Sequence, residues 1–262
     1  MSEIAVRPYR ASDVPALAAL WQRTFGDSAE LTDAFYGLLP DMGAGFAAFC
    51  GETPVGEAHL ITDLELVSGG ERRRMAYLYA VAVDDRFRGR GIGAALVNIA
   101  ESYARERGFI FCGEPAEVSL FDWYGRISSL KQKAYRGKKT VPAAAGDVRA
   151  VSAGEYLALR DTLIGSHSTV RPGAAAMEFE ESVCRIYGGG FFACDDGIVA
   201  AYPEGGGLKV CELVGDESAA AAAAYGLGLP FAEYSVSSAE GVAYLVSDAP
   251  FPPDVLWQMT FD

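Results

Sequence analysis

The residues with the clearest chemical character lie between Ala76 and Leu96. There Arg86, Arg88 and Arg90 alternate with Gly89, Gly91 and Gly93 in the run Arg-Phe-Arg-Gly-Arg-Gly-Ile-Gly. Alternate glycines let a backbone approach a ligand without Cβ interference and turn successive N–H groups to one side. Guanidinium groups around such a loop add positive charge. Together these features describe an anion cradle, and a pyrophosphate fits it. Two other phosphate loops deserve comparison. A Walker loop requires Lys and Ser/Thr after its last glycine, and Ala94 and Ala95 stand there instead. Gly89-x-Gly91-x-x-Ala94 does satisfy the dinucleotide fingerprint, with Glu114 following the apolar run Phe109 to Cys112 as a ribose-binding acid. Against a dinucleotide fold stand the distance of the first glycine from the strand, the arginine-rich loop, and the lack of repeated βαβ units.

The elements that position this loop are legible on both sides. Tyr77 to Val83 is apolar, rich in Val and Tyr, and too short for a buried helix, which predicts a buried strand followed by a turn at Asp84 and Asp85. After the loop, Ile92, Leu96, Ile99, Ala100 and Tyr103 recur at helical spacing, and Glu101 precedes Arg105 by one turn. The cradle therefore opens into an amphipathic helix whose N-terminal donors and dipole face the same anion.

Strand, Arg88-x-x-Gly91-x-Gly93 and helix in that order resemble the signature of the GNAT superfamily of N-acetyltransferases, over about half of the chain from Ile4 to Tyr135. Phe121-Asp-Trp-Tyr124 resembles a later segment of these enzymes in which the tyrosine is the general acid. Ser128-Ser129 departs from the Gly-Phe expected after it. The resemblance implies acetyl-CoA as cosubstrate, its pyrophosphate on the backbone of Arg88, Gly89, Arg90, Gly91, Ile92, Gly93 and Ala94. The pantetheine arm would lie along Val81, Ala82 and Val83, with the Val81 N–H facing the oxyanion. No metal is implied. It also implies an α/β (α+β) fold: a mixed, mostly antiparallel central sheet flanked by helices.

Amide formation from a thioester needs a neutral amine, and an alkylamine of pKa about 10.4 is mostly charged at neutral pH, so a carboxylate or a water held by one must take a proton. Glu57, on a strand beside the site, is the first candidate base; Asp63, Glu65, Glu117 and the C-terminal carboxylate of Asp262 are others. Tyr124 is the candidate acid for the departing thiolate. The expected reaction is direct transfer in a ternary complex to a primary amine of a small molecule. A non-catalytic acyl-CoA sensor and a protein acetyltransferase are the other readings.

Composition bounds the rest. With 262 residues, half of them hydrophobic, the chain can bury a large core. A net charge of −13 excludes the basic face of a nucleic-acid binder and suits a cationic acceptor, or simply a soluble surface. The start Met1-Ser-Glu-Ile lacks signal-peptide character and no long apolar run is present, so the expectation is a cytoplasmic protein without membrane contact. Homodimerisation is left open. His59 and His167 are too isolated for a metal site, and Cys50, Cys112, Cys184, Cys194 and Cys211 lack Cys-x-x-Cys pairing, which reads as buried small hydrophobes.

Along the chain, Ile4 to Tyr9 reads as a strand. A helix starts at Ser12-Asp13 and ends at Gly26, and a second runs from Leu31 to Leu39, stopped by Pro40, with Phe35 and Tyr36 on it. Phe46 to Cys50 and Val55 to Leu66 form a hairpin, and His59 in the second of these reads as a structural residue. Pro115 and Glu117 open the helix that carries Tyr124. The stretch 136–146 has linker composition. Beyond it, Val148-Arg-Ala-Val with its helix, Phe191 to Val199, and Leu208 to Val214 with an alanine-rich helix repeat the grammar of the first half. The expected domains are thus a GNAT domain over 1–138 and a smaller, degenerate GNAT-like domain over 147–262 that closes the acceptor pocket. Its loop Gly215-Asp-Glu-Ser218 carries two carboxylates and no arginine, which repels a pyrophosphate.

Overall fold

A computed structural model describes residues 3–238, 242–252 and 255–258. The chain forms two compact units, and each borrows from the far part of the sequence. The first comprises Met1–Glu65, Arg73–Lys133 and Tyr244–Pro250; the second comprises Leu66–Arg72, Ala134–Ala243 and Phe251–Asp262. This division differs from the boundary expected at 138–147. Most of the stretch read as a linker, residues 136–142, lies in a strand of the second unit, whose backbone pairs antiparallel with residues 231–237 while several of its side chains stay exposed.

In the first unit the order is β1 (Ile4–Pro8), α1 (Val14–Phe25), α2 (Ala29–Met42), β2 (Gly43–Cys50), β3 (Thr53–Ser68), β4 (Glu71–Val83), α3 (Ile92–Glu106), β5 (Ile110–Gly113) and α4 (Val118–Ile127). Pro40 does not stop α2, as expected, but sits inside its last turn; a proline there removes one hydrogen bond near an end that frays anyway. Gly26 ends α1 in the left-handed region at φ 83°, where a glycine avoids the Cβ penalty. β2 is antiparallel to β1 and β3, and β5 is parallel to β4. An antiparallel flank of this kind removes the dinucleotide-fold reading, which needs a doubly wound parallel sheet. α3 buries Ile92, Leu96, Val97, Ala100 and Ala104, and each large apolar side chain so buried contributes about 1.5–3 kcal/mol.

The second unit runs β6 (Gln132–Pro142), β7 (Val148–Val151), α5 (Ala153–Ile164), β8 (Thr169–Pro172), α6 (Ala174–Ile186), β9 (Gly190–Cys194), β10 (Gly197–Glu204), β11 (Gly207–Gly215), α7 (Glu217–Gly226) and β12 (Phe231–Ser238). A last strand, β13 (Val242–Ser247), pairs antiparallel with β5 through Val246 and Ser247. The strands of each unit follow one order. It is β1-β2-β3-β4-β5-β13 in the first unit and β7-β9-β10-β11-β12-β6 in the second. In each, a parallel pair follows the antiparallel strands, β4 with β5 and β11 with β12, and an antiparallel strand comes sixth. Helices α3 and α7 occupy corresponding crossovers, as do the pairs α1/α2 and α5/α6. The sixth strand is the exception in chain order: the first unit takes its own from the C-terminal part of the chain, and the second from the segment directly after α4.

Candidate active site

The glycine-arginine loop lies where β4 ends. Parallel pairing of β4 with β5 runs from Met75–Ile110 to Leu78–Gly113 and stops, whereas β4 continues to Val83. β4 thus runs on for five residues, Tyr79 to Val83, past its last pair with β5, which ends at Gly113. Ala80 marks the change of direction. Its φ of 48° is the sole positive value of a non-glycine among the described residues, and such a conformation is kept only where the surroundings enforce it. Ala82 is buried and Val81 and Val83 are half-buried, as a strand lining a slot requires.

From Val83 the chain passes through a short 3-10 turn, Asp85–Phe87, to the loop. Gly89 and Gly91 have φ of 74° and 78°, and Gly91 is the N-cap of α3. No side chain caps α3, so the first N–H groups of the helix, including those of Ile92, Gly93 and Ala94, present themselves and the positive end of the helix dipole to the loop. The arginines are arranged differently from the expectation of three charges closing around an anion. Arg86 forks onto Asp84 at 2.8 and 3.0 Å, which pulls the Asp84 carboxyl down to about 2. Arg88 pairs with Asp85 at 2.8 Å and donates to the Val83 carbonyl, and Arg90 donates to the Arg86 carbonyl over the Phe87 ring. The guanidinium groups thus tie the loop to itself, and its shape comes from Asp84 and Asp85 as much as from glycine.

Tyr124 is brought to this junction by α4. A Cβ on Gly93 would stand 3.5 Å from the Trp123 ring and 3.8 Å from Val83, so Trp123 seals the contact between α4, the start of α3 and the end of β4. The Tyr124 ring packs edge-on against Trp123 at 4.8 Å. Burial raises its phenol to about 12, so it is fully protonated at neutral pH. Ser128, which departs from the resembled pattern, closes α4 by donating to the Tyr124 carbonyl at 2.7 Å from its hydroxyl and 3.0 Å from its backbone.

Glu57 is fully buried on β3. Tyr36 of α2 donates to its Oε2 at 2.5 Å, and His59 Nε2 lies 3.7 Å from the same oxygen. Burial raises the Glu57 carboxyl to about 8, against the Tyr36 hydrogen bond and the attraction of Arg23, which both lower it. His59 is likewise sealed, and burial depresses its imidazole to about 3, so it is neutral. Trp21, Phe35, Tyr36 and Tyr9 surround the His59 ring with centroids 4.9–5.7 Å away. Glu57 Oε1, both His59 nitrogens and the Tyr9 hydroxyl are buried without a hydrogen-bond partner. The backbone of Ala80 acts on the His59 ring in the raising direction, yet lies outside hydrogen-bonding geometry. Four unsatisfied polar atoms in one aromatic cluster are costly in a merely structural core.

Of the other carboxylates, Asp63 and Glu65 are half-buried further along β3, Glu117 is exposed at the head of α4 and accepts from Ser119, and Asp262 lies outside the described residues. Phe35 and Tyr36 belong to the aromatic cluster. Tyr9, Tyr36, Trp123 and Ala80 carry no motif of their own. Only their company in the fold gives them a place here.

Residues 12–120 match the profile described as the acetyltransferase (GNAT) family, and the strand, glycine loop and uncapped helix described above fall within that match. An uncharacterized N-acetyltransferase of Methanocaldococcus jannaschii is 46% identical over 55 residues, which are 21% of this chain and 24% of that protein. The matched stretch thus spans about a quarter of that relative. Among solved structures, a GCN5-related N-acetyltransferase of Kribbella flavida superposes with a TM-score of 0.66 at 18% identity, covering 94% of this chain and 70% of that one. Another GCN5-related N-acetyltransferase, from Anabaena variabilis, gives 0.69 at 13% identity, with 94% and 72% covered. At these identities the superpositions speak for the fold, and they extend over both units. Among the described residues no helix is long and apolar enough to cross a membrane.

Proposed function

We propose that the chain is an acetyl-CoA-dependent N-acetyltransferase acting on a primary amine of a small acceptor. The observation that carries this reading is the conjunction of an uncapped α3 behind Gly89 and Gly91 with a β4 that runs on to Val83, past its last pair with β5. In this reading the diphosphate of the coenzyme rests on the N–H groups from Arg88 to Ala94, and the pantetheine amides pair with Val81 and Val83 in place of a β5 neighbour. The thioester carbonyl then lies by the kink at Ala80, where the Val81 N–H supports the developing oxyanion. Acetyl-CoA supplies the activated acyl group.

Glu57 takes the proton of the incoming ammonium, directly or through a water. Its carboxyl near 8 lies close to working pH, the range in which a base is both available and strong enough. The neutral amine attacks the carbonyl carbon, the C–S bond breaks, the protonated Tyr124 donates to the departing sulfur, and the second proton shed by the nitrogen restores the phenol. No acyl-enzyme is needed. The acidic surface of the chain favours cationic acceptors such as polyamines or aminoglycosides.

The test is release of free thiol from acetyl-CoA across a panel of polyamines, amino acids, aminoglycosides and lysine peptides. Turnover with a small amine supports the proposal. Turnover confined to peptides replaces the acceptor class, and binding of acetyl-CoA with no transfer to any amine replaces the enzyme with a sensor.

A further inference from the structure

In the second unit, α6 and β11 bring together three side chains that the reaction does not use. Glu180 and Cys184 stand one turn apart on α6, both fully buried, and Cys211 faces them from β11. Their ligand atoms lie within 4.8 Å of one another, with Cys184 Sγ 3.9 Å from Glu180 Oε1. A tetrahedral zinc with Zn–S of about 2.3 Å and Zn–O of about 2.0–2.2 Å sets its ligand atoms about 3.5–3.8 Å apart. The three atoms therefore need only small side-chain rotations to converge on one ion.

We infer that Glu180, Cys184 and Cys211 form a binding site for a thiophilic divalent cation of the zinc type, joining α6 to β11. Two thiolates select a borderline-soft ion over magnesium or calcium, and the carboxylate completes three protein ligands. A cavity of about 170 Å³ counts Cys211 among its lining residues, with Glu204, Lys209 and Tyr234. A water from that cavity would be the fourth ligand. On binding, both thiols and the carboxyl release any protons they hold to solvent, leaving one net negative charge at the centre. The sequence expectation of no metal-ligating cluster came from spacing along the chain, and residues 180 and 211 meet only through the fold.

The experiment uses the untagged full chain, reduced with a phosphine and dialysed against micromolar zinc or cobalt. The expected results are about one metal per chain by elemental analysis, a thiolate-to-cobalt charge-transfer band, and a melting temperature that rises with zinc concentration. Cys184→Ser and Cys211→Ser should each cut retained metal to about a tenth or less, whereas Cys50→Ser and Cys194→Ser leave it unchanged. Should Cys184→Ser not fold, the cobalt band and the zinc-dependent melting of the wild-type chain decide alone. No uptake by the wild type, uptake without the charge-transfer band, or uptake that survives both serine variants overturns the site. None of these results depends on acetyl transfer.

Discussion

The two units repeat one strand order and place different chemistry at the same junction. In the first, β4 leads through Gly89 and Gly91 to an α3 that no side chain caps. In the second, β11 leads to α7, and Asp216 caps it by accepting from the Ser218 N–H at 2.9 Å. Glu217 follows in the first turn and accepts from Tyr234 at 2.7 Å. Parallel pairing stops short of the strand end in both: β11 runs to Gly215, but its pairing with β12 ends at Val210. In the second unit Gln258 accepts from the Leu213 N–H at 2.8 Å beyond that last pair, and the residues at the helix mouth add a further difference. A carboxylate there satisfies the same donors that a diphosphate would need, and repels it as well.

The sharpest way to break this contrast is to give the first unit the cap of the second. Gly91→Asp places a side chain and a charge at the mouth of α3, in a position with no neighbouring atom within 4 Å but with φ of 78°. Acetyl-CoA affinity should fall by at least about a hundredfold, with the fold retained, by calorimetry and circular dichroism. The next effect belongs to the base. Glu57→Gln should lower turnover by about 10²–10⁴ without weakening coenzyme binding. It should also change stability against pH. In the folded protein the Glu57 carboxyl is raised from 4.5 to about 8, so its contribution is fully present below about pH 4.5 and is lost as pH rises to about 8. Denaturant titrations should find that loss in the wild type and a flatter profile in the variant.

Tyr124→Phe should reduce turnover by about a hundredfold at unchanged coenzyme affinity, and an unchanged rate removes it from the mechanism. Tyr36→Phe is subtler. Tyr36 stabilises the ionised form of Glu57, so losing its hydroxyl should move the acid limb of the pH–rate profile upward by about one unit. Smallest of all, Asp216→Ala should lower the melting temperature slightly as a lost helix cap, and should leave acetyl-CoA binding as it was.

How much of this was legible beforehand follows from how local each feature is. The end of β4, the loop and the start of α3 are contiguous in sequence, and glycine and arginine there state their use directly. The repeated strand order was visible as three matching segments, because each is a strand with its own turn or helix. Glu57 could be nominated but not understood: burial raises its carboxyl and the hydrogen bond from Tyr36 of α2 pulls it partly back, and both arise only after folding. The tying of Arg86 to Asp84 was likewise hidden, since neighbouring opposite charges read equally well as a solvated turn. β6 escaped notice because its polar side chains and flanking small residues look like a linker, and the partner that makes it a strand, β12, lies far along the chain.

The central claim is that the glycine loop and uncapped helix of the first unit, and not their counterpart in the second, hold the coenzyme. Titrating acetyl-CoA into the nitrogen-15-labelled chain tests it residue by residue. The account predicts saturable amide shifts at Gly89 to Ala94, Val81 and Val83, with Gly215 to Ala219 unmoved. Shifts centred on Gly215 to Ala219, or none at Gly89 to Ala94 at saturating coenzyme, would contradict it.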